Sequence, residues 1–376
     1  MKTSIKMNYL FKILGTSAPV GTHKDDILIH RTPSFLFPLP VPCLLAIESS
    51  CDETAVAIIC REEGRPCLLS SLISSQIEIH RDYGGVVPEV ACRNHALRIR
   101  PLVQQALEDA HLSLEEIDAF AATRGPGLAS SLLVGFSYAK GLAAAAGKPF
   151  YGINHMEGHL LSPFLEAGKV APHLGLIVSG GHTLLIDVQG FGNYKLMGLT
   201  IDDAAGEAFD KVGRMLDLPY PGGPEIEKNA LDGNPKAFHF PRPRLKDAAL
   251  DFSFSGLKTA VLYQLRKLEN PHSQLADLCA SFQAAVIDCL VKKTILAALE
   301  ADHQMISLSG GVACNKALQS ALGAAAEEAG MTLSLTPPEL TTDNAGMIAF
   351  AGLLSWENRD ADILTIGIDP NLSLTA

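Results

Sequence analysis

Residues 44–60 read LLAIESSCDETAVAIIC, which is an apolar run, a polar turn and a second apolar run. The runs 44–47 and 54–60 have the length and the aliphatic content of buried strands. The turn 48–53 between them carries hydroxyl and carboxyl side chains. This segment therefore predicts two neighbouring strands joined by a polar turn.

The same pattern returns in residues 174–188, where the polar turn 179–183 separates two apolar runs. A further apolar run, 305–308, ends in Ser309-Gly310-Gly311. Because strands alternate with helix-like stretches, the chain is predicted to have an α/β architecture. The repeated strand–turn–strand unit predicts two related lobes that face each other. The helix-like stretches are 93–110, 128–146, 206–216, 273–300 and 314–329.

The composition is typical of a globular enzyme with two lobes. Of 376 residues, 47% are hydrophobic and 19% are charged. No uncharged apolar run reaches the length of about 18 residues that a membrane span needs, so no membrane association is predicted. The net charge of -11 argues against a free-standing, non-specific nucleic-acid binder. A nucleic-acid substrate would therefore need a local basic patch or the surface of a partner.

The cysteines and the first residues predict where the protein is located. The eight cysteines form no C-x-x-C pair and lie mostly in apolar runs, which is typical of reduced thiols in a cytosolic protein. Residues 1–42, basic with a proline-rich end, are predicted to be a poorly ordered extension. They hold no apolar core before a cleavage site, so a secretory signal is not expected. We predict a cytoplasmic protein, with a mitochondrial transit peptide as the alternative.

Two histidines stand at helical spacing in the segment NHMEGH, residues 154–159. His155 and His159 would share one face of a helix and bind a single metal ion, although a histidine pair without a metal is the commoner meaning of this spacing. In H-E-x-x-H proteases the glutamate directly follows the first histidine. Glu157 instead lies roughly 200° around the helix from His155, so a protease is disfavoured.

A third metal ligand is expected from the segment TTDNA, residues 341–345. Asp343 there is either a ligand or the N-cap of the helix that follows, and the spacing alone favours the cap. Two histidines and an aspartate with open coordination positions would suit Fe(II) or zinc acting as a Lewis acid on a bound carbonyl.

Three glycine turns predict a site for a phosphate or a nucleotide. The turns are Ser179-Gly180-Gly181, Ser309-Gly310-Gly311 and the segment PGGP at residues 221–224. Glycine lets backbone N–H groups approach a ligand closely, whereas one such turn alone is equally typical of a tight hairpin. No G-x-x-x-x-G-K-[ST] motif is present, so the chain is not a P-loop enzyme.

Carboxylates are dense in residues 202–211. Asp202 and Asp203 are explained by the start of the helix they precede. Asp210 lies further into that helix, so it is predicted to accept hydrogen bonds from a ribose or an amide of a small molecule. Asp52 and Glu53 are predicted to face the cleft between the lobes.

Taken in chain order, these motifs resemble the universal tRNA N6-adenosine threonylcarbamoyltransferase family, in its bacterial rather than its archaeal form. The resemblance covers roughly residues 43–355. It leaves out residues 1–42 and the tail 360–376. The matching segments are 46–54, 83–89, 123–128, 155–159, 178–183, 202–211, 220–224, 252–258, 309–315 and 342–344.

The resemblance implies the two-lobed actin-like fold of the sugar kinases, Hsp70 and actin, with duplicated α/β domains around a nucleotide cleft. The first lobe would comprise residues 43–150 and 343–376, and the second lobe residues 151–342. The implied metal ligands are His155, His159 and Asp343, with Fe(2+) the expected ion and Zn(2+) the alternative. Asp52 and Glu53 match acidic residues that assist the chemistry. The residues implied to bind threonylcarbamoyl-AMP are Ile177, Val178, Ser179, Gly180, Gly181, Asp210, Gly223, Glu227 and Asn315.

The implied activity is transfer of the threonylcarbamoyl group from threonylcarbamoyl-AMP to N6 of adenosine 37 in tRNAs that read codons beginning with A. The implied partners are a degenerate paralogue that forms a heterodimer with this chain and an accessory ATPase. A kinase on the same fold and a non-catalytic paralogue are alternatives, but neither requires the histidine pair. Candidate tRNA-binding residues are Arg93, Arg98, Arg100, Arg242, Arg244 and Lys246.

Overall fold

The computed structural model describes residues 27–29, 42–243 and 249–375, which form two β-sheets and the helices packed on them. The strands are β1 (Ile27–Ile29), β2 (Cys43–Glu48), β3 (Glu53–Glu62), β4 (Arg65–Ser75), β5 (Ala119–Gly125), β6 (Phe150–Asn154), β7 (His173–Val178), β8 (Thr183–Gly190), β9 (Asn193–Leu199), β10 (Met305–Ser309) and β11 (Thr332–Leu335). The helices are α1 (Ile77–Arg81), α2 (Pro88–Asp109), α3 (Ala129–Ala146), α4 (His155–Leu161), α5 (Ala205–Met215), α6 (Gly222–Ala230), α7 (Ser255–Leu265), α8 (Leu275–Glu300), α9 (Lys316–Glu328) and α10 (Ala345–Asn358).

The first sheet has the strand order β1-β4-β3-β2-β5-β6. Strands β2, β5 and β6 are parallel neighbours, while β2, β3 and β4 are joined in antiparallel fashion. Every residue of β2 is buried, because α2 and α3 cover one face of the sheet and α10 covers the other. Parallel strands end at the same edge of a sheet, so the ends of β2, β5 and β6 converge there.

The second sheet has the order β11-β10-β7-β8-β9 and repeats the design of the first. An antiparallel pair, β7 and β8, is joined by a tight turn, and the parallel strand β10 lies on the other side of β7. Helices α5 to α9 surround this sheet, and the central helix α8 buries more than half of its length. The predicted α/β architecture with two related units is confirmed.

Helix α10 returns the chain from the second sheet to the first. It packs on β2 and β5 so closely that a Cβ on Gly352 would stand 2.9 Å from the Cβ of Ala121. It also packs on α4, where a Cβ on Gly158 would stand 2.9 Å from Cδ1 of Ile348. The start of α10 is thereby fixed beside α4, at the edge where β2 and β6 end.

The predicted lobe boundary at residue 150 falls inside β6, which pairs with β5 in the first sheet. The tail after α10 lies against the same sheet, since Asp369 N donates to Arg124 O at 2.9 Å and Lys140 Nζ donates to Ile366 O at 2.8 Å. The division of the chain into lobes at the stated residues stays a prediction.

Of the N-terminal extension, the structure describes residues 27–29 and Pro42. Within it, β1 pairs antiparallel with Leu72–Ser74 of β4, where no order was expected. The remainder of residues 1–41 lies outside the described residues, as do residues 244–248 and 376. Across the described ranges, no helix has the length and the apolar character needed to cross a membrane.

Candidate metal centre and substrate cleft

His155 and His159 are positioned by an asparagine cap at the start of α4. The side-chain oxygen of Asn154 accepts hydrogen bonds from Met156 N at 2.9 Å and from Glu157 N at 3.4 Å, so the helix begins directly after β6. His155 therefore occupies the first turn and His159 the next, on one face. Their ring centroids are 4.8 Å apart.

Asp343 meets both histidines from the loop before α10. Its Oδ1 lies 3.0 Å from His159 Nε2 and 3.5 Å from His155 Nε2. The alternative role of Asp343 as a helix cap is wrong, because Asn344 fills it by accepting from Met347 N at 2.8 Å. Asp343 is thus left with its carboxylate pointing at the two imidazoles.

The charges around these three side chains fit a divalent cation. Their ligand atoms all lie within 4.8 Å of one another, and no other group of this kind occurs in residues 27–29, 42–243 and 249–375. Burial alone would raise the pKa of Asp343, but His155 and His159 hold it far below its usual range. Burial alone would lower the pKa of His155, but Asp343 and Glu48 raise it to about 9. Asp343 therefore stays ionised beside the two imidazoles, which is the form that a metal ion binds.

Glu157 points away from this centre. Tyr194 OH on β9 donates to Glu157 Oε1 at 2.9 Å, and burial raises the pKa of Glu157. No carboxylate of α4 therefore takes the position that the glutamate of an H-E-x-x-H protease occupies, as the helical spacing predicted.

Asp52 lies in the turn between β2 and β3, Glu53 is the first residue of β3, and buried polar groups hold this turn in place. Gln76 N donates to Asp52 O at 3.1 Å, and the ring of His95 contacts Cys51 O through Nε2 at 2.9 Å. Burial, then Asp52 and Asp343, raise the pKa of Glu53 well above its usual range.

The turn between β2 and β3 faces the second lobe. The charge of Asp52 helps to raise the pKa of Tyr220 and, as a smaller contribution, that of Asp210. Burial is the larger cause in both groups. The acidic turn of the first lobe therefore lies near Tyr220 and near Asp210 on α5 of the second lobe.

The turn Ser179-Gly180-Gly181 connects β7 and β8 in a tight hairpin, and its two glycines are exposed. Ser179 N donates to His182 O at 2.8 Å, which closes the turn between β7 and β8. A Cβ on Gly180 or Gly181 would meet no atom of the described residues within 4 Å. The two residues before the turn, Ile177 and Val178, are fully buried in β7 and fix its origin. Both glycines are exposed, so the turn is accessible to a ligand.

His182, at the end of this turn, is a candidate that the sequence did not single out. Burial lowers the pKa of its imidazole to about 4, and His155 and His159 contribute to the shift. The ring is therefore close enough to the metal ligands to be affected by their charge. The signal was present in the motif VSGGHT, but a lone histidine after a glycine turn has no distinctive spacing.

Asp210 lies well inside α5, as predicted, but its carboxylate caps the start of the next helix. Its Oδ1 accepts a hydrogen bond from Gly222 N at 2.8 Å, at the first residue of α6. Burial raises the pKa of Asp210 to about 6, against the opposing hydrogen bonds from Gly222 and Gly223. Gly223 thus belongs to a helix start beside Asp210 rather than to a free turn.

Asp202 and Asp203 do not serve the helix they precede. Asp202 Oδ1 accepts from Phe254 N at 2.8 Å and Oδ2 from Ser255 Oγ at 2.6 Å, which caps α7. Asp203 pairs with Lys211 at 2.7 Å and with Lys258 at 2.9 Å. Both carboxylates thus hold the segment before α5 against the start of α7.

Asn315 and Glu227 hold the start of α9. Asn315 Oδ1 accepts from Leu318 N at 2.9 Å, and its amide donates to Gln283 Oε1 at 2.7 Å. Glu227 Oε1 accepts from Lys316 N at 2.6 Å. The adjacent turn at Gly310 presses on the end of β7, where a Cβ would stand 2.5 Å from Val178 O. The two glycine turns are therefore neighbours.

The candidate basic residues are divided between two regions. Arg93, Arg98 and Arg100 lie on α2, with Arg93 and Arg100 exposed. Arg242 is engaged by Asp288, at 3.0 Å. Arg244 and Lys246 lie outside the described residues.

Two duplicated α/β units around a cleft define the class of two-lobed, actin-like proteins. Full-length HypF in its phosphate- and nucleotide-bound form has a TM-score of 0.56 at 12% identity, covering 84% of this chain and 56% of that one. HypF from T. kodakarensis has a TM-score of 0.57 at 14% identity, covering 85% of this chain and 49% of that one. At these identities the likeness shows the fold alone, and this chain corresponds to about half of each HypF chain.

The chain belongs to the tRNA N6-adenosine threonylcarbamoyltransferase family, whose family model matches residues 67–350. A relative of that name from Trichlorobacter lovleyi is 53% identical over 313 residues, 82% of this chain and 90% of the relative. One from Anaeromyxobacter dehalogenans is 52% identical over 326 residues, 85% of this chain and 97% of the relative. The predicted family and its bacterial form are confirmed.

Proposed function

We propose that this chain transfers the threonylcarbamoyl group from threonylcarbamoyl-AMP to N6 of adenosine 37, in tRNAs that read codons beginning with A. Membership of the family supports the transferase activity on tRNA. The observation that carries the metal-dependent form of the proposal is the group His155, His159 and Asp343, whose ligand atoms lie within 4.8 Å of one another in the cleft.

These three side chains are proposed to hold one divalent ion, Fe(2+) or alternatively Zn(2+). Nitrogen and carboxylate ligands in a 2:1 ratio suit either ion and leave coordination positions open. Such an ion supplies Lewis-acid polarisation of a bound carbonyl group. The buried, negatively charged surroundings of the two histidines favour its retention.

The AMP part of the donor is proposed to lie along the second lobe. The N–H groups of the exposed residues Gly180 and Gly181 would donate to the phosphate, as in other backbone anion sites. Asp210 would accept a hydrogen bond from the ribose. Asn315 and Glu227 would bound the cleft beside α9, where their side chains already fix the helix start.

The reaction forms one bond and breaks one. The N6 amine of the adenosine attacks the carbamoyl carbon, and the bond from that carbon to the phosphate oxygen breaks with its electron pair, so AMP leaves. The amine loses a proton, for which Asp52 or Glu53 is the proposed acceptor. Because an aromatic amine is weakly nucleophilic, orientation and polarisation of the donor supply most of the acceleration.

The test combines metal analysis with single-turnover transfer to unmodified tRNA. Wild-type protein is compared with the double variant His155→Ala, His159→Ala, and with Asp52→Ala and Glu53→Ala. Metal close to one ion per chain with transfer in the wild type, both lost in the double variant, is the expected result. Of the two carboxylate variants, the one that removes the proton acceptor binds the donor normally and transfers at least about a hundredfold more slowly.

Absence of metal from the wild type, with turnover of ATP intact, would instead identify an ATP-dependent kinase on the same fold. If metal-free protein transfers the group, the proposed activity on tRNA stands and the proposed metal centre is contradicted. The assay is run with tRNA of known anticodons, so that the proposed preference for codons beginning with A is tested directly.

We further propose that the chain works in the cytoplasm with a degenerate paralogue as heterodimer partner and with an accessory ATPase. The net charge of -11 supports shared tRNA binding, because this chain alone would repel the tRNA backbone. Co-purification of the native complex and tRNA affinity of the chain with and without its partner test this part.

A further inference from the structure

Glu48, the last residue of β2, is a carboxylate with no access to solvent. It lies at the junction of β2, β5 and α4. Ser50 N donates to its Oε1 at 2.5 Å, and Thr123 Oγ1 on β5 donates to its Oε2 at 2.5 Å. The same Oε2 lies 3.1 Å from His155 Nδ1. A buried carboxylate needs partners of this kind, and here one of them is a proposed metal ligand.

The donors around Glu48 determine which nitrogen of His155 carries a proton. A carboxylate only accepts hydrogen bonds, so Nδ1 must donate to Glu48. Ser50 Oγ, 3.2 Å from the same Nδ1, provides a second acceptor. The lone pair of the neutral ring is then on Nε2, the atom that lies 3.5 Å from Asp343 Oδ1.

His159 lacks such a partner. Its Nε2 also points at Asp343, but its buried Nδ1 has no hydrogen-bond partner among the residues that the structure describes. The two imidazoles therefore differ: the Nδ1 of His155 is held by a carboxylate from another part of the chain, and the Nδ1 of His159 is not.

We propose that Glu48 is a positioning residue that fixes the tautomer and the ring orientation of His155, so that Nε2 is presented as the metal-binding atom. This inference rests on the proposed metal centre. Acceptors on the outer nitrogen of a ligand histidine typically account for about 10- to 100-fold in metal affinity. Glu48 acts through His155 and does not itself touch the ion.

The substitution Glu48→Gln tests this with little change in volume. A glutamine offers one acceptor oxygen, whereas Ser50 N, the Thr123 hydroxyl and His155 Nδ1 supply three donors. The Zn(2+) affinity of the purified chain is measured by competition with chelators of graded strength. Glu157→Gln is the matched control, since Glu157 lies on α4 and contacts Tyr194 rather than a ligand.

We expect Glu48→Gln to lower the Zn(2+) affinity about 10- to 100-fold and Glu157→Gln to leave it within about twofold. The loss should disappear when Glu48→Gln is made in a His155→Ala background, and it should persist in a His159→Ala background. A merely structural role of Glu48 would reduce affinity equally in both backgrounds.

Two outcomes would overturn the inference. One is an unchanged affinity in folded Glu48→Gln, and the other is an equal loss in the two histidine backgrounds. If the wild type itself binds no Zn(2+) or Fe(2+), the proposed metal centre fails instead. Melting of the metal-free variants shows whether each one folds. If Glu48→Gln does not fold, Glu48→Asp, which keeps the charge but withdraws the carboxylate from His155 Nδ1, replaces it in the same two backgrounds with the same expected loss.

Discussion

At Asp210, burial raises the pKa of the carboxyl to about 6, while the N–H groups of Gly222 and Gly223 work in the opposite direction. The ordinary pKa of an aspartate is about 3.9, so the folded state binds a proton more tightly than the unfolded state. Stability from this group is therefore present at low pH and is lost as the pH rises through about 6. At neutral pH the buried carboxylate is ionised, which lowers the stability of the folded state. An ionised carboxylate is the form that accepts a hydrogen bond from a ligand.

From this we predict that adenosine binding weakens as the pH falls below 6. Adenosine is the probe because it carries no phosphate that titrates in the same range. Between pH 7 and pH 5 the affinity of the wild type should fall about tenfold, since Asp210 becomes largely protonated. Asp210→Asn should bind adenosine weakly and without this pH dependence. Calorimetric titrations at four pH values measure both, and parallel profiles for the two proteins would contradict the prediction.

Single residues also show what a sequence can reveal of this site. The pair His155 and His159 was visible because a helix brings residues four apart onto one face. The partnership of Glu48 with His155 was not visible, because the residues are 107 positions apart and meet only through the pairing of β2, β5 and β6. For Asp343 and Asn344 the spacing was ambiguous, and only the geometry assigns the cap to the second residue.

At the scale of elements, the predicted strands β2, β3 and β7 are almost entirely buried, whereas β5, which is equally buried, was not predicted. Strand β2 reads as one apolar run because helices cover both of its sides. Strand β4 contains four serines and β9 lies exposed at an edge, so neither shows a clear pattern. Helix α6 was read as a third glycine turn, since Gly222 and Gly223 at its start mask the helical signal. Tertiary contacts stabilise the start of this helix instead, among them the hydrogen bond that Gly222 N donates to Asp210 Oδ1.

Gly206 gives a prediction at this scale, because it joins α5 to the open glycine turn. A Cβ there would stand 2.5 Å from Ser179 O and 2.8 Å from Gly180 Cα, both backbone atoms that have little freedom to move. Gly206→Ala should therefore displace the turn, cost about 1–3 kcal/mol in the free energy of unfolding, and weaken binding of AMP.

The matched control is Gly141→Ala on the exposed face of α3, where a Cβ would meet no atom of the described residues within 4 Å. This change should leave AMP binding unaltered and raise the free energy of unfolding by about 0.5–1 kcal/mol, because alanine is the better helix former. Urea unfolding and AMP titration of both variants measure these effects. Equal AMP affinities in the two variants would show that the turn is not set by α5.

For the whole molecule, the proposed metal centre joins parts of the chain that lie far apart in sequence. His159 and Asp343 are 184 residues apart, and the loop that carries Asp343 connects the second sheet to α10 on the first. An ion that binds only the folded state stabilises it by about 2.7 kcal/mol when its concentration is 100 times the dissociation constant. In a chain of this size such a gain raises the melting temperature by a few degrees.

We therefore predict that Zn(2+) raises the melting temperature of the wild type and that a chelator reverses the change. The double variant His155→Ala, His159→Ala should melt at the same temperature with and without Zn(2+). Glu157→Gln should keep the full shift, because its carboxylate lies on α4 but faces Tyr194. Differential scanning calorimetry measures all three proteins. A shift that survives in the double variant would place the stabilising ion elsewhere on the chain, since without the two imidazoles Asp343 alone offers too few ligands to hold it.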